Sequence, residues 1–143
     1  MAADNKDKWP YGKPLLSTVK VGCEQIEGTS AAYRDLLRIR STEPAFSLST
    51  ADQVQSELSF PLSGKDETPG VITMRLGDLV VVFNATPERQ EQRVTAVAGT
   101  GYRLHPVQAA GADPTVKSSS YAAESGTFAV PGRTVAVFTR AAE

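Results

Sequence analysis

The contrast between apolar and polar positions is strongest at residues 79–85, which form the most apolar run of the chain. The run is rich in β-branched residues, which suit a packed, pleated surface, and it is too short to span a bilayer. Turn residues bound it on both sides, Gly77-Asp78 before it and Thr86-Pro87 after it. The pattern therefore predicts a central buried strand. Its predicted core residues are Leu79, Val81 and Phe83.

Short apolar runs separated by turn residues follow at fairly even intervals after Ala45, which is typical of an antiparallel sandwich or barrel. Residues 71–76 alternate apolar and polar, and the two-residue Gly77-Asp78 turn predicts that they form a hairpin with the central strand. Pro61 lies within the apolar run at residues 58–62. Because proline cannot donate a hydrogen bond to a sheet, that run is predicted to be an edge strand.

The remaining elements of this β-rich part are predicted from the same alternation. A helical turn is expected at residues 50–55 and a loop of small residues at residues 108–120. Further strands are predicted at residues 92–97, 102–105, 127–130 and 133–139. Phe128 and Phe138 on the last two complete the predicted core.

The N-terminal part has a different pattern. Residues 1–28 show no sustained period, yet they are too apolar for a disordered tail, so we expect an irregular segment that lies on a surface. Thr29 or Ser30 can cap a helix predicted at residues 31–40, and Pro44 limits its extension. Its apolar side chains recur at helical spacing and form a broad stripe that a single helix and a tail cannot bury. The stripe consists of Ala32, Tyr33, Leu36, Leu37 and Ile39.

The chain has 143 residues and a formal net charge of −1, with 15 Lys and Arg against 16 Asp and Glu. This length suits one domain with a modest core, and the lack of a basic surplus argues against nucleic acid or an anionic membrane as a partner. The polar start is expected to be neither a signal peptide nor an anchor. Cys23 is the only cysteine, so no internal disulfide and no thiolate metal site are expected.

Candidate catalytic groups are few. His105 is the only histidine, and no serine or cysteine lies in a setting typical of a nucleophile, so no catalytic residue, metal site or cofactor is predicted. His105 precedes Pro106 at a predicted strand end, where we expect a hydrogen-bonded structural role. Four aromatic residues could stack on sugar rings, although packing is the commoner role of such side chains. They are Trp9, Tyr11, Tyr102 and Tyr121.

Short motifs occur along nearly the whole chain in a specific order. The early ones are Trp9-Pro10, Lys13-Pro14-Leu15-Leu16, Leu36-Leu37-Arg38-Ile39-Arg40 and Pro44-Ala45-Phe46-Ser47-Leu48. The later ones are Pro69-Gly70-Val71-Ile72, Val82-Phe83-Asn84-Ala85-Thr86-Pro87, Leu104-His105-Pro106-Val107-Gln108 and Gly126-Thr127-Phe128-Ala129-Val130-Pro131-Gly132. This succession resembles the C-terminal region of pullulanase-type starch debranching enzymes, limit dextrinases included, of the α-amylase superfamily.

The resemblance implies one region of a larger glycoside hydrolase. Members of this family cleave α-1,6-glucosidic linkages in pullulan, starch or limit dextrins with a (β/α)8 barrel, which an all-β C-terminal domain follows. Residues 1–44 would be an irregular segment and a helix from the end of the barrel, and residues 45–143 an antiparallel β-sandwich. The family's catalytic carboxylates lie upstream, so none maps onto this chain. Asp4 and Asn5 would follow the last barrel strand and are at most near the substrate.

Two functions from different classes follow from the resemblance. In the first, the sandwich is a non-catalytic structural module that packs on the catalytic barrel, so its partners are the barrel and, through it, the α-glucan substrate. In the alternative, it is a carbohydrate-binding module that holds α-glucan on exposed rings. Ring exposure separates the two, because a binding platform needs several rings on one surface, whereas the structural role has Tyr102, Phe128 and Phe138 pointing inward.

Overall fold

The computed structural model describes Pro10 and residues 21–141, and in this part the chain forms two antiparallel sheets and three α-helices. The helices are α1 (Cys23–Thr42), α2 (Ala51–Glu57) and α3 (Pro106–Ala110). The strands are β1 (Leu58–Ser59), β2 (Val71–Leu76), β3 (Leu79–Asn84), β4 (Gln90–Arg93), β5 (Tyr102–Leu104), β6 (Ser120–Ala122), β7 (Thr127–Val130) and β8 (Thr134–Arg140). Short 3-10 turns lie at Pro44–Ser47, Gly64–Asp66, Thr95–Val97 and Val116–Ser118.

The larger sheet has the strand order β1-β2-β3-β8-β5, with antiparallel neighbours throughout. β2 and β3 form a hairpin in which Leu76 pairs with Leu79, as the Gly77-Asp78 turn predicted. Gly77 has a φ of 57°, a left-handed conformation that glycine adopts without the steric cost of a side chain. The central strand and its hairpin partner are therefore confirmed.

The smaller sheet has the order β4-β7-β6 and packs on the inner face of the larger one. Val80 and Val82 of β3 lie in the core cluster between the sheets, together with Phe138 of β8. Phe128 and Val130 of β7 complete this contact, and all five side chains are fully buried. The fold is therefore mainly antiparallel β with a helix before it, as the sequence predicted.

Several boundaries differ from the sequence expectation. β1 has only two residues, because the chain enters a turn at Pro61. β4 lies at Gln90–Arg93, and a 3-10 turn occupies the second half of the strand expected at residues 92–97. The expected loop at residues 108–120 contains most of α3 and the start of β6. α3 begins at Pro106 because the fixed φ of proline suits the first helical position.

α1 begins at Cys23 and is longer than the predicted helix. Gly22 is its N-cap, and the Gly22 backbone N–H donates to the side-chain oxygen of Gln25 at 3.0 Å. The predicted cap at residues 29–30 is wrong. Thr29 lies inside the helix, and its hydroxyl donates to the Gln25 carbonyl at 2.7 Å. It therefore does not cap the start of the helix.

The irregular segment predicted at residues 1–28 falls only partly within the described chain. Residues 23–28 belong to α1, so the expectation is wrong for them. Gly28 lies within α1, where a glycine costs only about 1 kcal/mol relative to alanine. Residues 1–9 and 11–20 lie outside the described part, and with them lie Asp4, Asn5, Trp9 and Tyr11.

Phe83 is not a core residue, contrary to the sequence expectation. Side chains alternate along β3, so Val80 and Val82 face the smaller sheet. Leu79, Val81 and Phe83 face the opposite side, on which α1 lies. Val81 is 2% exposed and Leu79 is 3% exposed, but Phe83 remains 36% exposed. An apolar run cannot indicate how far a covering helix extends, and α1 covers only part of this outer face.

Asn84 joins the two sheets at one end of the sandwich. Its Nδ2 group donates to the carbonyl oxygens of Glu88, Val130 and Pro131 at 2.8, 3.1 and 2.9 Å. Its Oδ1 accepts from the Thr86 backbone N–H at 3.0 Å and from the Thr86 hydroxyl at 2.7 Å. Both polar atoms of this buried amide are therefore paired, which removes the penalty for burying them.

Candidate docking surface

Ile39 attaches α1 to the outer face of the larger sheet. It is 1% exposed and forms a second core cluster with Val81 of β3 and Val137 of β8. Partly buried apolar side chains pack around this cluster, namely Phe46, Met74, Val107 and Val135. Fully burying a side chain of this size is worth about 1.5–3 kcal/mol, so the contact holds the C-terminal half of α1 on the sheet.

His105 links the end of α1 to the sandwich through two hydrogen bonds. Its Nδ1 accepts from the backbone N–H of Val107 at 3.2 Å and thereby caps α3. Because Nδ1 is an acceptor, the imidazole proton lies on Nε2, which donates to Oε1 of Glu43 at 2.9 Å. Glu43 is the C-cap residue of α1. His105 is therefore a buried, hydrogen-bonded structural residue, as the sequence predicted.

Gln108 holds α3 against the edge of β8 where β5 has ended. Its Nε2 donates to the Val135 carbonyl at 2.8 Å, and its Oε1 accepts from the Val137 N–H at 2.8 Å. One side-chain amide thus replaces a neighbouring strand at this position. Asp35 of α1 reaches the same region, since its Oδ2 accepts from the Ala112 N–H at 2.9 Å.

One side of α1 therefore faces α3, and a neighbouring stripe is exposed. Arg34 and Arg38 line a cleft with α3 and the residues that follow it. Beside them around the helix, Ile26, Tyr33 and Leu37 are 58%, 62% and 48% exposed. Their spacing places them on one stripe of a helix. We define Ile26, Tyr33 and Leu37 as the α1 flank.

The aromatic rings of the sandwich pack against one another in its interior. Tyr102 lies edge-on to Tyr121 and to Phe128, with ring centroids 5.3 and 5.5 Å apart. Phe128 also contacts Tyr121 and Phe138, at 4.6 and 4.9 Å between centroids. The Tyr121 hydroxyl donates to the Val97 carbonyl at 2.6 Å. These rings are thus engaged in packing, as the structural hypothesis expected, and do not form an exposed platform.

Burial raises the pKa of both tyrosines. For Tyr102, loss of hydration outweighs the nearby Arg75 guanidinium, which lowers the pKa of the phenol. For Tyr121, loss of hydration again raises the pKa of the phenol, and Tyr102 adds to the effect. Loss of hydration thus favours the neutral form of both phenols, which suits their packing role.

Two carboxylates lie between α1 and the sandwich. Asp113 and Arg133 line an open groove of about 480 Å³, and Asp113 lines a neighbouring cavity together with Asp35. Each carboxylate accepts a backbone hydrogen bond, Asp35 from the Ala112 N–H at 2.9 Å and Asp113 from the Thr115 N–H at 2.8 Å. Within residues 21–141 there is no group of three or more His, Cys, Asp or Glu side chains placed to hold a metal ion. None of the described helices is both long and apolar enough to cross a bilayer.

The sequence expectation missed part of this surface. Ile26 was assigned to the irregular segment, although its spacing from Tyr33 and Leu37 fits a longer helix. Gln108 was assigned to a loop, and no sequence signal marks its amide as a substitute for a strand. Asp4 and Asn5 lie outside the described residues, so their predicted position near a substrate stays a prediction.

Comparison with known proteins finds relatives for nearly the whole chain. The family model for the C-terminal part of pullulanase-type α-1,6-glucosidases matches residues 1–141. Pullulanase 1, chloroplastic, of Arabidopsis thaliana is 36% identical over 153 aligned positions, which cover 94% of this chain and 16% of the plant protein. The pullulanase of Klebsiella pneumoniae is 26% identical over 130 positions, which cover 81% of this chain and 12% of that protein.

A solved structure has the same fold. The maltotriose complex of PulA from Klebsiella pneumoniae matches with a TM-score of 0.73 and 26% identity, over 91% of this chain and 16% of that one. Each match takes in most of this chain but less than one fifth of the relative. The chain thus spans only a small part of the length of the proteins it resembles.

Proposed function

The chain belongs to the family of pullulanase-type α-1,6-glucosidases and corresponds to their C-terminal region, and from this premise we propose that it is a non-catalytic module that packs on the catalytic part of such an enzyme. The whole enzyme would be a starch-debranching glycoside hydrolase that cleaves α-1,6-glucosidic linkages in pullulan, starch or limit dextrins. In this proposal the module stabilises the catalytic part and leaves the chemistry to it.

The observation that carries the proposal is that α1 has two apolar sides, of which the sandwich buries only one. Ile39 is 1% exposed against the larger sheet, whereas Tyr33 and Leu37 are 62% and 48% exposed. Contiguous exposed apolar side chains on a soluble domain mark an interaction site. α1 stands at the N-terminal side of the sandwich, so the partner we propose is the part of the enzyme that precedes this region.

We propose the division of the chain on the same basis. Residues 1–44 would belong to the end of the catalytic barrel and residues 45–143 would form the C-terminal sandwich, with α1 as the element shared by both interfaces. Asp4 and Asn5 would then be near the substrate only in the whole enzyme. Ile39 also packs on the sandwich, which supports a boundary held by side-chain contacts and not by a flexible linker.

The carbohydrate-binding alternative has less support. The rings of Tyr102, Tyr121 and Phe128 pack against one another inside the sandwich. Among the described residues the exposed rings are Tyr33 on α1, Phe60 after the end of β1 and Phe83 on β3. A glucan platform needs rings that share one surface and one spacing, because successive sugar units stack at regular intervals.

The test uses the purified chain of 143 residues. We expect no release of reducing sugar from pullulan, and no retardation by α-glucan in affinity electrophoresis. Release of reducing sugar that a substitution in one of the chain's own carboxylates abolishes would refute the non-catalytic role. Retardation that Phe83→Ala or Tyr33→Ala abolishes would favour the carbohydrate-binding alternative.

A further inference from the structure

Alternate residues of β2 turn their backbone groups away from β3. In a two-residue hairpin the residues that flank the turn pair with each other, so the next residue and every second one after it direct their N–H and C=O groups to the opposite side. Leu76 flanks the turn of this hairpin and pairs with Leu79. Val71, Thr73 and Arg75 therefore direct their backbone groups toward the side of β2 on which β1 lies.

Two of these three residues have backbone partners on that side, and Thr73 has none. Arg75 pairs with Ser59 of β1, and the Val71 N–H donates to a carbonyl of the preceding loop at 2.9 Å. In the register of β1 the residue opposite Thr73 would be Pro61, which has no N–H and lies in the turn that leads the chain away. Within the described part of the chain, no backbone hydrogen bond reaches the outward N–H or C=O of Thr73.

A cavity of about 200 Å³ lies at this position, between β2 and the loop that follows β1. Thr73 borders the cavity, and its own hydroxyl is engaged elsewhere, since it donates to Oε1 of the buried Gln92 at 3.2 Å. Thr73 is 4% exposed, and a buried backbone N–H or C=O without a partner is costly. The backbone of Thr73 thus favours a ligand that supplies one acceptor and one donor.

The walls of the cavity define the rest of the ligand. They are mostly apolar, and two of them are also open to solvent, since Phe60 is 46% exposed and Ile72 is 53% exposed. An apolar side chain of the ligand would cover both. The exposed Glu67 also lines the cavity, so a basic group is favoured beside that side chain and an acidic group is disfavoured.

We propose that this cavity binds a short extended segment of another polypeptide, one residue of which pairs with Thr73 as an added strand does. A peptide unit fits because it carries the required donor and acceptor at strand spacing. An apolar side chain of the segment contacts Phe60 and Ile72, and a basic side chain lies near Glu67. The segment is short, because β1 and the loop before β2 occupy the neighbouring outward positions. This site shares no residue with the α1 flank and goes beyond the proposed function.

The test titrates the 15N-labelled chain of 143 residues with acetyl-leucyl-lysine amide and follows the backbone amide signals by NMR. The Thr73 signal should shift and saturate, because its N–H gains an acceptor. Two matched probes vary one group each: acetyl-glycyl-lysine amide lacks the apolar side chain, and acetyl-leucyl-glutamate amide reverses the charge. We expect each of them to bind about fivefold more weakly or worse.

Three variants locate the binding on the cavity. Ile72→Ser should weaken binding of the first probe about tenfold, and Glu67→Gln should remove the preference for lysine over glutamate. Phe83→Ser is the control, because Phe83 is exposed on the same face of the sheet but does not line the cavity. Its affinity should equal that of the parent chain. The urea midpoint of each variant shows whether its fold is retained, and the comparison of the three probes on the parent chain needs no variant.

Three outcomes would overturn the proposal. The first is no saturable shift of the Thr73 signal up to the solubility limit of the probe. The second is equal weakening by Phe83→Ser and Ile72→Ser, which would mean that the probe adheres to the exposed face of the sheet. The third is self-association without probe that Ile72→Ser abolishes, which would make a second copy the occupant. None of these outcomes bears on the proposed function, which is tested by hydrolysis and glucan binding.

Discussion

The Nε2 of His105 lies 2.9 Å from the Oε1 of Glu43, and this contact joins the C-cap of α1 to the junction of β5 and α3. The two residues are distant in sequence, so the bond fixes the end of the helix relative to the sandwich. The same imidazole caps α3 through Nδ1. One side chain therefore couples two helices to the larger sheet.

His105→Ala should lower the free energy of unfolding by about 2–4 kcal/mol, because it removes one charge-assisted and one neutral hydrogen bond from a buried site. Glu43→Gln is the matched control, since its amide oxygen still accepts from Nε2, and its cost should stay near about 1 kcal/mol. Urea unfolding of the two variants and of the parent chain measures the loss of unfolding free energy in each variant. A loss below about 0.5 kcal/mol for His105→Ala would show that water replaces these bonds without cost.

The central hairpin was predictable because its determinants are local. Gly77-Asp78 sets the turn, and the apolar runs on each side set the strands. The placement of Phe83 was not predictable in this way. β3 is buried on both faces over most of its length, so the run lacks alternation, and only the position of α1 determines which end of the outer face is exposed.

The exposed stripe of α1 was also only partly predictable from the sequence. Tyr33 and Leu37 were recognised as part of an apolar stripe that one helix could not bury, and the structure divides that stripe between the sheet and solvent. Ile26 was missed because residues 1–28 show no sustained apolar period, so the helix was predicted to begin only at residue 31. The contacts of Gln108 and Asn84 depend on partners far along the chain, and a sequence pattern does not contain that information.

Phe128 and Phe83 form a matched pair for testing the core. Phe128 is fully buried, so Phe128→Ala should cost about 3–5 kcal/mol through lost transfer energy and a cavity. Phe83 is 36% exposed and its site can open to water, so Phe83→Ala should cost less than about 1.5 kcal/mol. Chemical unfolding of both variants measures the difference. Equal costs would mean that the outer face of β3 is covered in solution.

Asn84→Ala should cost at least about 3 kcal/mol, because it removes the amide donor from the carbonyl groups of Val130 and Pro131 and leaves that of Glu88 with the Thr86 hydroxyl. Asn84→Asp should be more damaging at neutral pH. It keeps the acceptor for Thr86 but turns a carboxylate oxygen toward those carbonyls in a buried site. Thermal unfolding of the two variants shows which of them is less stable. An aspartate variant more stable than the alanine variant would contradict this account.

Alkaline pH should destabilise the sandwich through its partly buried phenols. Burial raises the pKa of Tyr102 above the ordinary value of 10.0, so above that pH the unfolded chain loses the proton before the folded protein does. The contribution of Tyr102 is fully present below about pH 10 and is lost as the pH rises through the folded pKa. Tyr102→Phe should therefore flatten the fall in stability above pH 10. Unfolding midpoints measured from pH 8 to 12 test this, and an unchanged slope would contradict it.

Leu37 and Ile39 lie close together on α1 and face opposite environments. Leu37 is 48% exposed, so Leu37→Asp should change the free energy of unfolding by less than about 1 kcal/mol. Ile39 is 1% exposed against Val81 and Val137, so Ile39→Asp should cost more than about 4 kcal/mol by burying an unpaired carboxylate.

The same pair separates folding from association. The exposed α1 flank should make the isolated chain self-associate, because no partner covers its apolar side chains. We expect Leu37→Asp to weaken this association about tenfold or more, since a charge must then be buried at the contact. Sedimentation velocity at several concentrations, beside urea unfolding, measures both quantities. If Leu37→Asp unfolds the chain as Ile39→Asp does, the flank belongs to the core of this domain and is not a surface for a partner.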